Sequence, residues 1–391
     1  MNTQANFPRL GTIQRNALIA AAAGGLGCVA GAILDPGRFF ASYLFAFVFW
    51  CNLSLGFLGV TMLHHMTSGR WSFLIQRISE AGMRVLPVLA LLFVPLFFGL
   101  DHLYPWVRHH EEPAIASRGE YLNVSFFIIR TVFYFLVWTG MAFLLSRWSH
   151  RQDAEADPRL TRSLRLLSAP GLIVYTLTAT FAAVDWTMSL QPEWFSTIYG
   201  MLAVVGQVLA ALAVAAIALR TLTASGPLAD VVAPRPLNDL GNMILAFVVL
   251  WTYMSFSQFL IIWAGNLPEE IPWYVTRLGG EWRTVALVLI IFHFAVPFFL
   301  LLIRRNKRSL RMLALIAAGI LLMRIVDVYW IVIPGALPQD AGVHWVDLAA
   351  FLAIGGVWVV TFIRQIRQVS LLPLHDPRFA VLTEPVGGEP A

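Results

Sequence analysis

The stretch that decides the fold is Val174–Gly200, VYTLTATFAAVDWTMSLQPEWFSTIYG. It starts as an apolar run long enough to cross much of a bilayer, and near its end it places Asp185 beside Trp186. A carboxylate inside a membrane helix is costly unless it is paired, hydrated or used in function. Because indole rings prefer the membrane interface, Trp186 and Trp194 place this acid near the headgroup level. The stretch therefore predicts a membrane helix with a functional or structural acid near one end.

The composition extends this prediction to the whole chain. Of its 391 residues, 58% are hydrophobic and 13% are charged, whereas soluble domains carry about 25% charged residues. Runs of about 20 apolar residues predict ten membrane-spanning helices. These cover 16–34, 39–63, 85–103, 124–145, 170–188, 198–219, 241–262, 283–303, 311–333 and 345–363. We therefore expect an all-α integral membrane protein with an N-terminal arm (1–15), a membrane domain (16–365) and a C-terminal tail (366–391).

The distribution of basic residues predicts the orientation of the helices. With the N-terminus in the cytoplasm, 20 of the 27 Lys and Arg residues fall in cytoplasmic segments, 5 in outer loops and 2 within spans. Lys and Arg concentrate in cytoplasmic loops of membrane proteins, so both termini are expected in the cytoplasm. Because topology accounts for these residues, the net charge of +5 does not indicate nucleic-acid binding.

Two stretches indicate an internal repeat. The fifth predicted span contains AVDW at 183–186 and the ninth contains IVDVYW at 325–330, and a proline follows each of them, Pro192 and Pro334. The matching stretches are four spans apart, so the two copies would run parallel to each other. We expect two parallel four-helix bundles, spans 2–5 (about 39–188) and spans 6–9 (about 198–333), with spans 1 and 10 at the periphery.

Most ionisable residues inside the predicted spans fall in the outer half of the membrane, at a rise of about 1.5 Å per residue. Arg324 and Asp327 are three positions apart and can pair on one helix face. Arg130 then needs a partner from elsewhere, either Asp185 or Asp101. Two interpretations stay open: structural ion pairs that fix helix packing, or a polar pocket or proton pathway that opens to the outer side.

Three further sets of polar residues are candidates for proton transfer. They are His293 near the midplane of the eighth span, Tyr253, Ser255 and Gln258 on the seventh, and His64 and His65 at the cytoplasmic end of the second. Hydroxyl, amide and imidazole groups pass protons through bound water, but they equally serve as hydrogen-bonding contacts between helices. The sequence does not separate these two roles.

No motif for a metal centre occurs in the sequence. Cys28 and Cys51 both fall in predicted spans, and there is no CxxCH haem motif or cysteine cluster for an iron–sulfur centre. The neighbouring His109 and His110 could contribute to a metal site, but a histidine pair alone supplies too few ligands. We expect this chain to bind no metal, haem or iron–sulfur centre, so partner proteins would carry any electrons.

Two stretches resemble a known family: DWTMSLQPEWFSTIYG at 185–200 and, in support, LWTYMSFSQFLIIWAGNLPEEIPWY at 250–274. They are similar to the NrfD-like (polysulfide-reductase membrane subunit) family. Within that family the chain most resembles the smaller of the two such subunits, the second quinone-binding-type subunit (ActF type), of bacterial alternative complex III. That complex is a quinol:cytochrome c oxidoreductase. The resemblance covers about 15–365.

The resemblance implies a subunit of a respiratory complex in the bacterial inner membrane. The implied partners are a paralogous ten-span subunit, a periplasmic iron–sulfur subunit, multihaem cytochrome c subunits, a terminal oxidase and membrane lipid. A quinone, either menaquinone or ubiquinone, is the implied ligand, and the outer polar residues would contribute a quinone pocket or a proton pathway. The resemblance assigns no quinol ligand to individual residues, so whether this chain is itself catalytic stays open. The alternatives are a proton- or ion-coupled secondary transporter and a structural scaffold subunit.

Overall fold

The computed structural model describes residues 8–109, 111, 113–155, 157–223, 232–338, 342–368, 370–373, 376 and 379. Over these residues the chain forms helices and no strand, and ten helical segments are long and apolar enough to cross a membrane. We number them spans 1 to 10: Arg9–Leu34, Pro36–Thr67, Arg70–Phe98, Val124–Glu155, Pro158–Leu190, Tyr199–Thr223, Pro234–Gly265, Trp282–Leu302, Leu310–Ala336 and Trp345–Arg367. The prediction of an all-α, multi-span membrane protein is confirmed. The side on which span 1 begins is called the N-terminal side below.

Several helices run further than hydropathy alone predicts, because their ends are polar. The first helix, Pro8–Leu34, begins within the predicted N-terminal arm. Span 4 is one helix, and span 5 consists of the helix Pro158–Trp186 and a short 3₁₀ turn, Met188–Leu190. Asp157 caps the start of the fifth span by accepting the backbone N–H of Arg159. Most of the polar segment between the predicted spans 4 and 5 is therefore helical.

Span 3 differs most from its prediction, 85–103. It is built from the helix Arg70–Met83, the helix Leu86–Phe93 and the 3₁₀ turn Val94–Phe98. The break between the two helices precedes Pro87, which has no N–H to donate to the turn before it. Hydropathy missed the first helix because it carries several charged residues, yet every residue from Trp71 to Met83 is buried.

Span 8 contains a widened turn around its histidine. Two α-helices, Trp282–Val288 and Val296–Leu302, flank a π-helical segment, Leu289–Ala295. In a regular α-helix the N–H of residue 297 would bond to the carbonyl of His293, but Pro297 has no N–H and its ring crowds that carbonyl. The wide turn relieves this conflict, and π turns of this kind are frequent at functional sites.

Short helices occupy the connections between spans. They are Leu100–Leu103, Pro105–Arg108, Pro113–Ala116, Ile271–Leu278 and Arg304–Arg308. The first four lie on the side opposite to the N-terminal side, and Arg304–Arg308 joins spans 8 and 9 on the N-terminal side.

The spans pack as two rings of four helices. Span 2 contacts spans 3 and 5, and span 4 closes that ring; span 6 contacts spans 7 and 9, and span 8 closes the second. Spans 2 and 6 also pack against each other at the centre, and 89% and 78% of their most apolar windows are buried. Spans 1 and 10 pair with each other beside span 2. These contacts group the spans as 2–5 and 6–9, while the internal repeat and the cytoplasmic side of the termini stay predictions.

A glycine sets the distance between the two central helices. A Cβ atom on Gly56 would lie 1.9 Å from the carbonyl oxygen of Gln207, so a side chain there would force the helices apart. The close approach of spans 2 and 6 also brings Gln207 to Asn52, and the Gln207 amide donates to Asn52 Oδ1 at 3.0 Å. The same contact that joins the two bundles thus places polar groups between them.

Candidate functional site

Asp185 forms a two-pronged ion pair with Arg130 inside the first bundle. Arg130 Nε donates to Oδ2 and Nη2 to Oδ1, each at 2.8 Å. The Tyr134 hydroxyl donates to Oδ2 at 2.7 Å. Asp185 is fully buried and Arg130 is 8% exposed. Two parallel N–H donors to one carboxylate make the strongest geometry for such a pair. Of the two partners predicted for Arg130, the structure selects Asp185.

The Arg130 guanidinium also packs against two aromatic rings. Its central carbon is 3.9 Å from the Tyr121 ring centroid and 4.2 Å from that of Phe126, distances at which a cation is attracted to a ring face. Nη1 donates to the backbone carbonyl of Tyr121 at 3.0 Å. We call Asp185, Arg130, Tyr134, Tyr121 and Phe126 the Asp185 clamp.

Asp101 does not join this clamp. Its side chain is 62% exposed on the side opposite to the N-terminal side, with Oδ2 4.0 Å from His102 Nε2. The helix of span 3 ends before it, and Asp101 lies in the separate short helix Leu100–Leu103. That break carries the carboxylate away from the bundle interior.

A surface pocket of about 510 Å³ opens beside the Asp185 clamp, which is within the usual size range of small-molecule sites. Its wall combines Tyr121 and Ser189 with the aromatic side chains of Trp194 and Phe195. Burial and then the negative charge of Asp185 raise the pKa of the Tyr121 phenol, so this hydroxyl stays a neutral hydrogen-bond donor. The wall also contains Arg118 and Glu120, so the pocket combines an aromatic surface with charged side chains.

Arg324 and Asp327 pair along one face of span 9, as predicted from their spacing, through Arg324 Nη1 and Asp327 Oδ2. Both are buried, at 3% and 2% exposure. The guanidinium packs on the backbone of Gly206, where a Cβ atom would lie 2.3 Å from Arg324 Nη2. A side chain at position 206 would displace the arginine, so the glycine of span 6 makes room for this ion pair.

The Arg324–Asp327 pair lines an internal cavity of about 40 Å³ between spans 2, 5, 6, 7 and 9. One water molecule needs roughly 10–15 Å³ of such a cavity, so the cavity has room for a few waters. Ligand pockets are about 300–1,000 Å³, so a quinone headgroup does not fit. The polar part of the wall comprises Asn52, Thr187, Tyr199, Gln207, Arg324 and Asp327. We call this the central cavity.

Two hydrogen-bonded pairs extend from the central cavity. Gln207 Oε1 accepts from the Tyr175 hydroxyl at 2.7 Å, which continues the link from Asn52 toward the N-terminal side. Toward the opposite side, the Tyr199 hydroxyl donates to Thr187 Oγ1 at 2.8 Å. Trp186 also lines the cavity and follows Asp185 directly in the chain, so the central cavity and the Asp185 clamp are neighbours.

His293 is fully buried in the π turn of span 8, and its ring centroid is 4.0 Å from that of Trp251, edge to face. Among the described residues, neither ring nitrogen has a hydrogen-bond partner. Trp251 lies between this histidine and the cavity wall, because it lines the central cavity itself. The structure thus places His293 next to the candidate site, separated from it by one indole ring.

The three predicted polar residues of span 7 point in different directions. Tyr253 is 66% exposed on the outer face of its helix. The Ser255 hydroxyl is buried and has no partner among the described residues. Gln258 is buried further along, where it accepts from Ser196 Oγ at 3.2 Å. These side chains do not form one continuous hydrogen-bonded line.

His64 and His65 are both buried, at 1% and 0% exposure, at the N-terminal side of span 2. His64 Nδ1 lies 2.7 Å from the Ser72 hydroxyl, which in turn donates to the carbonyl of Gly69. His64 therefore contacts the buried helix Arg70–Met83. Both histidines lie at the end of the bundle opposite to the Asp185 clamp.

That buried helix carries an ion cluster which hydropathy did not reveal. Arg77 Nη1 donates to Glu80 Oε2 at 2.7 Å, and its Nη2 donates to Asp153 Oδ2 at 2.6 Å. Ser149 donates to Glu80 Oε1 at 2.6 Å, and Gln76 donates to the same oxygen at 3.0 Å. The sequence did contain a signal for this cluster. Arg77 and Glu80 are three residues apart, a spacing that lets them pair on one helix face.

A third membrane carboxylate, Asp347, was also missed as a site residue. It pairs with Arg38 and accepts from the Ser42 hydroxyl at 2.6 Å and the Tyr329 hydroxyl at 3.0 Å. The backbone N–H of His344 donates to the same carboxylate at 2.8 Å and completes a capping box at the start of span 10. This pair lines neither the central cavity nor the 510 Å³ pocket.

A buried arginine between spans 7 and 8 has carbonyl partners instead of a carboxylate. Arg277 is 1% exposed and donates to Gln191 Oε1 at 2.8 Å and to the backbone carbonyl of Ile331 at 2.7 Å. Burial lowers its pKa to about 9, so it stays charged at neutral pH. Its planar fork of donors ties three loop and helix ends together.

Among the described residues, no group of three or more His, Cys, Asp or Glu side chains could hold a metal ion. No protein-family model matches the chain, and no curated protein matches it. The fold and the candidate site therefore define the class, an all-α multi-span membrane protein with Arg-paired carboxylates buried inside its helix bundles.

Proposed function

We propose that this protein is a membrane subunit of a respiratory quinol:cytochrome c oxidoreductase of the alternative complex III type. The observation that carries the proposal is the adjacency of two arginine-held carboxylates. Asp185 lies beside a pocket of ligand size, and Asp327 lies in a cavity of water size. This fits the resemblance of 185–200 and 250–274 to NrfD-like subunits, and the proposal includes a location in a bacterial inner membrane.

The 510 Å³ pocket is the place where this chain would meet a quinol. Quinol oxidation releases protons together with electrons, so it needs a group that accepts hydrogen bonds or protons close to the ring hydroxyls. Glu120 supplies a carboxylate in the pocket wall that can accept, and Trp194 and Phe195 supply apolar faces for a flat ring. The electrons would leave through iron–sulfur and haem groups of partner subunits.

The central cavity supplies the proton route. Waters in a cavity of about 40 Å³ would touch Asp327 and the Gln207–Asn52 pair, and water chains between such groups carry protons across short gaps. Because the cavity is too small for a quinone headgroup, the role of Asp327 is proton transfer and not ligand binding. Tyr175 would continue the route toward the N-terminal side through its bond to Gln207.

The test replaces Asp327 by Asn in the native complex. After extraction from native membranes in mild detergent, we would identify the companion proteins, record the haem spectrum, and measure quinol-dependent cytochrome c reduction and proton release. We expect Asp327→Asn to leave the companion proteins and the haem content unchanged. It should slow turnover or proton release about tenfold or more, which is less than the rate factor that acid–base groups usually contribute.

Asp347→Asn is the matched control, because Asp347 is equally buried and arginine-paired but does not line the central cavity. Assembled Asp347→Asn complex should turn over at nearly the wild-type rate. If the two variants turn over at equal rates, Asp327 has no role in proton transfer, and the result supports a structural scaffold subunit. If the protein is extracted without haem-containing companions and the isolated protein takes up a substrate, the proposal is wrong and the protein is a secondary transporter.

A further inference from the structure

A basic pocket lies on the N-terminal side, far from the candidate site. It has a volume of about 420 Å³ and is formed where three segments meet: the loop after span 2, the start of span 7 and the connection between spans 8 and 9. Four arginines line it, Arg70, Arg235, Arg304 and Arg308, together with one acid, Asp239. The 8–9 connection and the start of span 7 both belong to the second bundle, whereas Arg70 belongs to the first.

The short helix Arg304–Arg308, which supplies two of these arginines, is held against span 7 by Lys307. Lys307 is 8% exposed, its Nζ donates to Asn242 Oδ1 at 2.6 Å, and its stem packs on the backbone of Gly241. This contact fixes the short helix Arg304–Arg308 against span 7. The pocket wall is therefore built into the fold and does not depend on a loose loop.

The arginines leave a surplus of positive charge in the pocket. Arg304 and Arg308 are four residues apart on one helix, a spacing at which like charges repel each other. Burial and then the charge of Arg304 lower the pKa of the neighbouring Lys307. One carboxylate, Asp239, can neutralise only one of the four guanidinium groups. An anion bound in the pocket would relieve this repulsion.

The surroundings of the pocket identify the source of the anion. Phe299, Leu302 and Ile303 lie within the five residues before Arg304 and are 65%, 52% and 51% exposed, so an exposed apolar surface continues in sequence into the charged one. Trp71, a residue type enriched at membrane interfaces, is also in the pocket wall. A soluble phosphate would use only the charged part, whereas a phospholipid would use both parts.

We propose that this pocket binds the phosphate headgroup of an anionic phospholipid in the leaflet on the N-terminal side. Guanidinium groups bind phosphate oxygens through paired N–H donors, and basic pockets between membrane helices are typical headgroup sites. The bound lipid would tie Arg70 of the first bundle to Arg235 and Arg304 of the second. This inference is independent of the respiratory function proposed above.

The test titrates phosphatidylglycerol into the delipidated protein, purified with the companions that it carries, and measures binding by native mass spectrometry and by the shift in melting temperature. The variant is Arg304→Gln/Arg308→Gln. The matched control is Arg147→Gln/Arg305→Gln, which removes the same charge from exposed arginines on the same side but outside the pocket. We expect the pocket variant to bind phosphatidylglycerol about tenfold more weakly or worse, and the control to bind like the wild type.

Two further probes decide between the sources of the anion. Phosphatidylcholine should bind the wild type much more weakly than phosphatidylglycerol, and millimolar inorganic phosphate should not displace the lipid. Equal weakening in the pocket and control variants would overturn the site. Full displacement by inorganic phosphate, or equal binding of phosphatidylcholine, would overturn the assignment to an anionic lipid.

Discussion

Asp185 accepts three hydrogen bonds from two side chains, and none of them is exposed to bulk solvent. Such a pair contributes little net stability, because bringing both charges out of water is costly. Removal of one partner is strongly destabilising, because it leaves the other charge buried without a counter-charge. The Arg130 guanidinium would keep only its carbonyl and ring contacts.

The first prediction concerns this carboxylate. Asp185→Asn should destabilise the protein by about 3 kcal/mol, the low end of the cost of breaking a buried ion pair, because the Arg130 charge stays behind. The measurement is unfolding in detergent, followed by tryptophan fluorescence. The second change, Arg130→Gln, should recover part of the loss when it is combined with Asp185→Asn.

Asp101→Asn is the control, since this carboxylate is 62% exposed and has no buried partner. It should change stability by less than about 0.5 kcal/mol. If Asp185→Asn changes stability as little as Asp101→Asn does, the buried Asp185–Arg130 pair is not what holds these helices in place.

Among the elements, spans 2 and 6 set the geometry of the candidate site. Their backbones approach so closely at Gly56 that Gln207 reaches Asn52 and Tyr175. Span 5 and span 9 then add their carboxylates from the two sides. The helix Arg70–Met83 does not contribute to the candidate site. Its buried Arg77 donates to Ser149 and Asp153 of span 4.

The second prediction concerns that close approach. Gly56→Ala should lower stability by about 2 kcal/mol or more, because the new methyl group would meet a backbone oxygen that no side-chain rotation can move. Unfolding in detergent measures the stability, and the loss is expected because the two helices must move apart and separate Gln207 from Asn52.

Gly140→Ala is the matched control, since a Cβ atom at this helical position meets nothing within 4 Å. It should leave stability unchanged or slightly raised, because alanine is the better helix former. Equal melting temperatures for the two variants would show that spans 2 and 6 can separate without cost.

In the whole molecule, charge is arranged differently on the two sides. The ion pairs of Asp185, Asp327 and Asp347 lie toward the side opposite to the N-terminal side, whereas the Arg77 cluster and the basic pocket lie on the N-terminal side. The N-terminal side is also the side that the basic loops predict to be cytoplasmic.

The third prediction tests that orientation. Cys28 and Cys51 are buried, so the background of thiol labelling is low. Glu193→Cys should react with a membrane-impermeant maleimide on intact cells, and Arg305→Cys should react only after the membrane is permeabilised. Both positions are exposed, on opposite sides of the protein. The reverse labelling pattern would place both termini outside the cytoplasm.

The sequence by itself determined the class, the number of spans and two of the ion-pairing residues at the candidate site. Long apolar runs must become helices in a membrane because every backbone N–H and C=O has to be paired within the helix. Spacing alone paired Arg324 with Asp327, since residues three apart meet on one helix face. These properties depend only on neighbours in the chain.

Only the tertiary structure decided which helices meet and which way each side chain points. It chose Asp185 over Asp101 for Arg130, turned Tyr253 outward, and buried the charged helix Arg70–Met83 in the bundle. A hydropathy window of about 19 residues averages over several helix turns, and apolar helices give no local signal for their rotation or their partners. Those choices follow from packing between residues far apart in sequence, such as the contact of Gly56 with Gln207, which lines the central cavity.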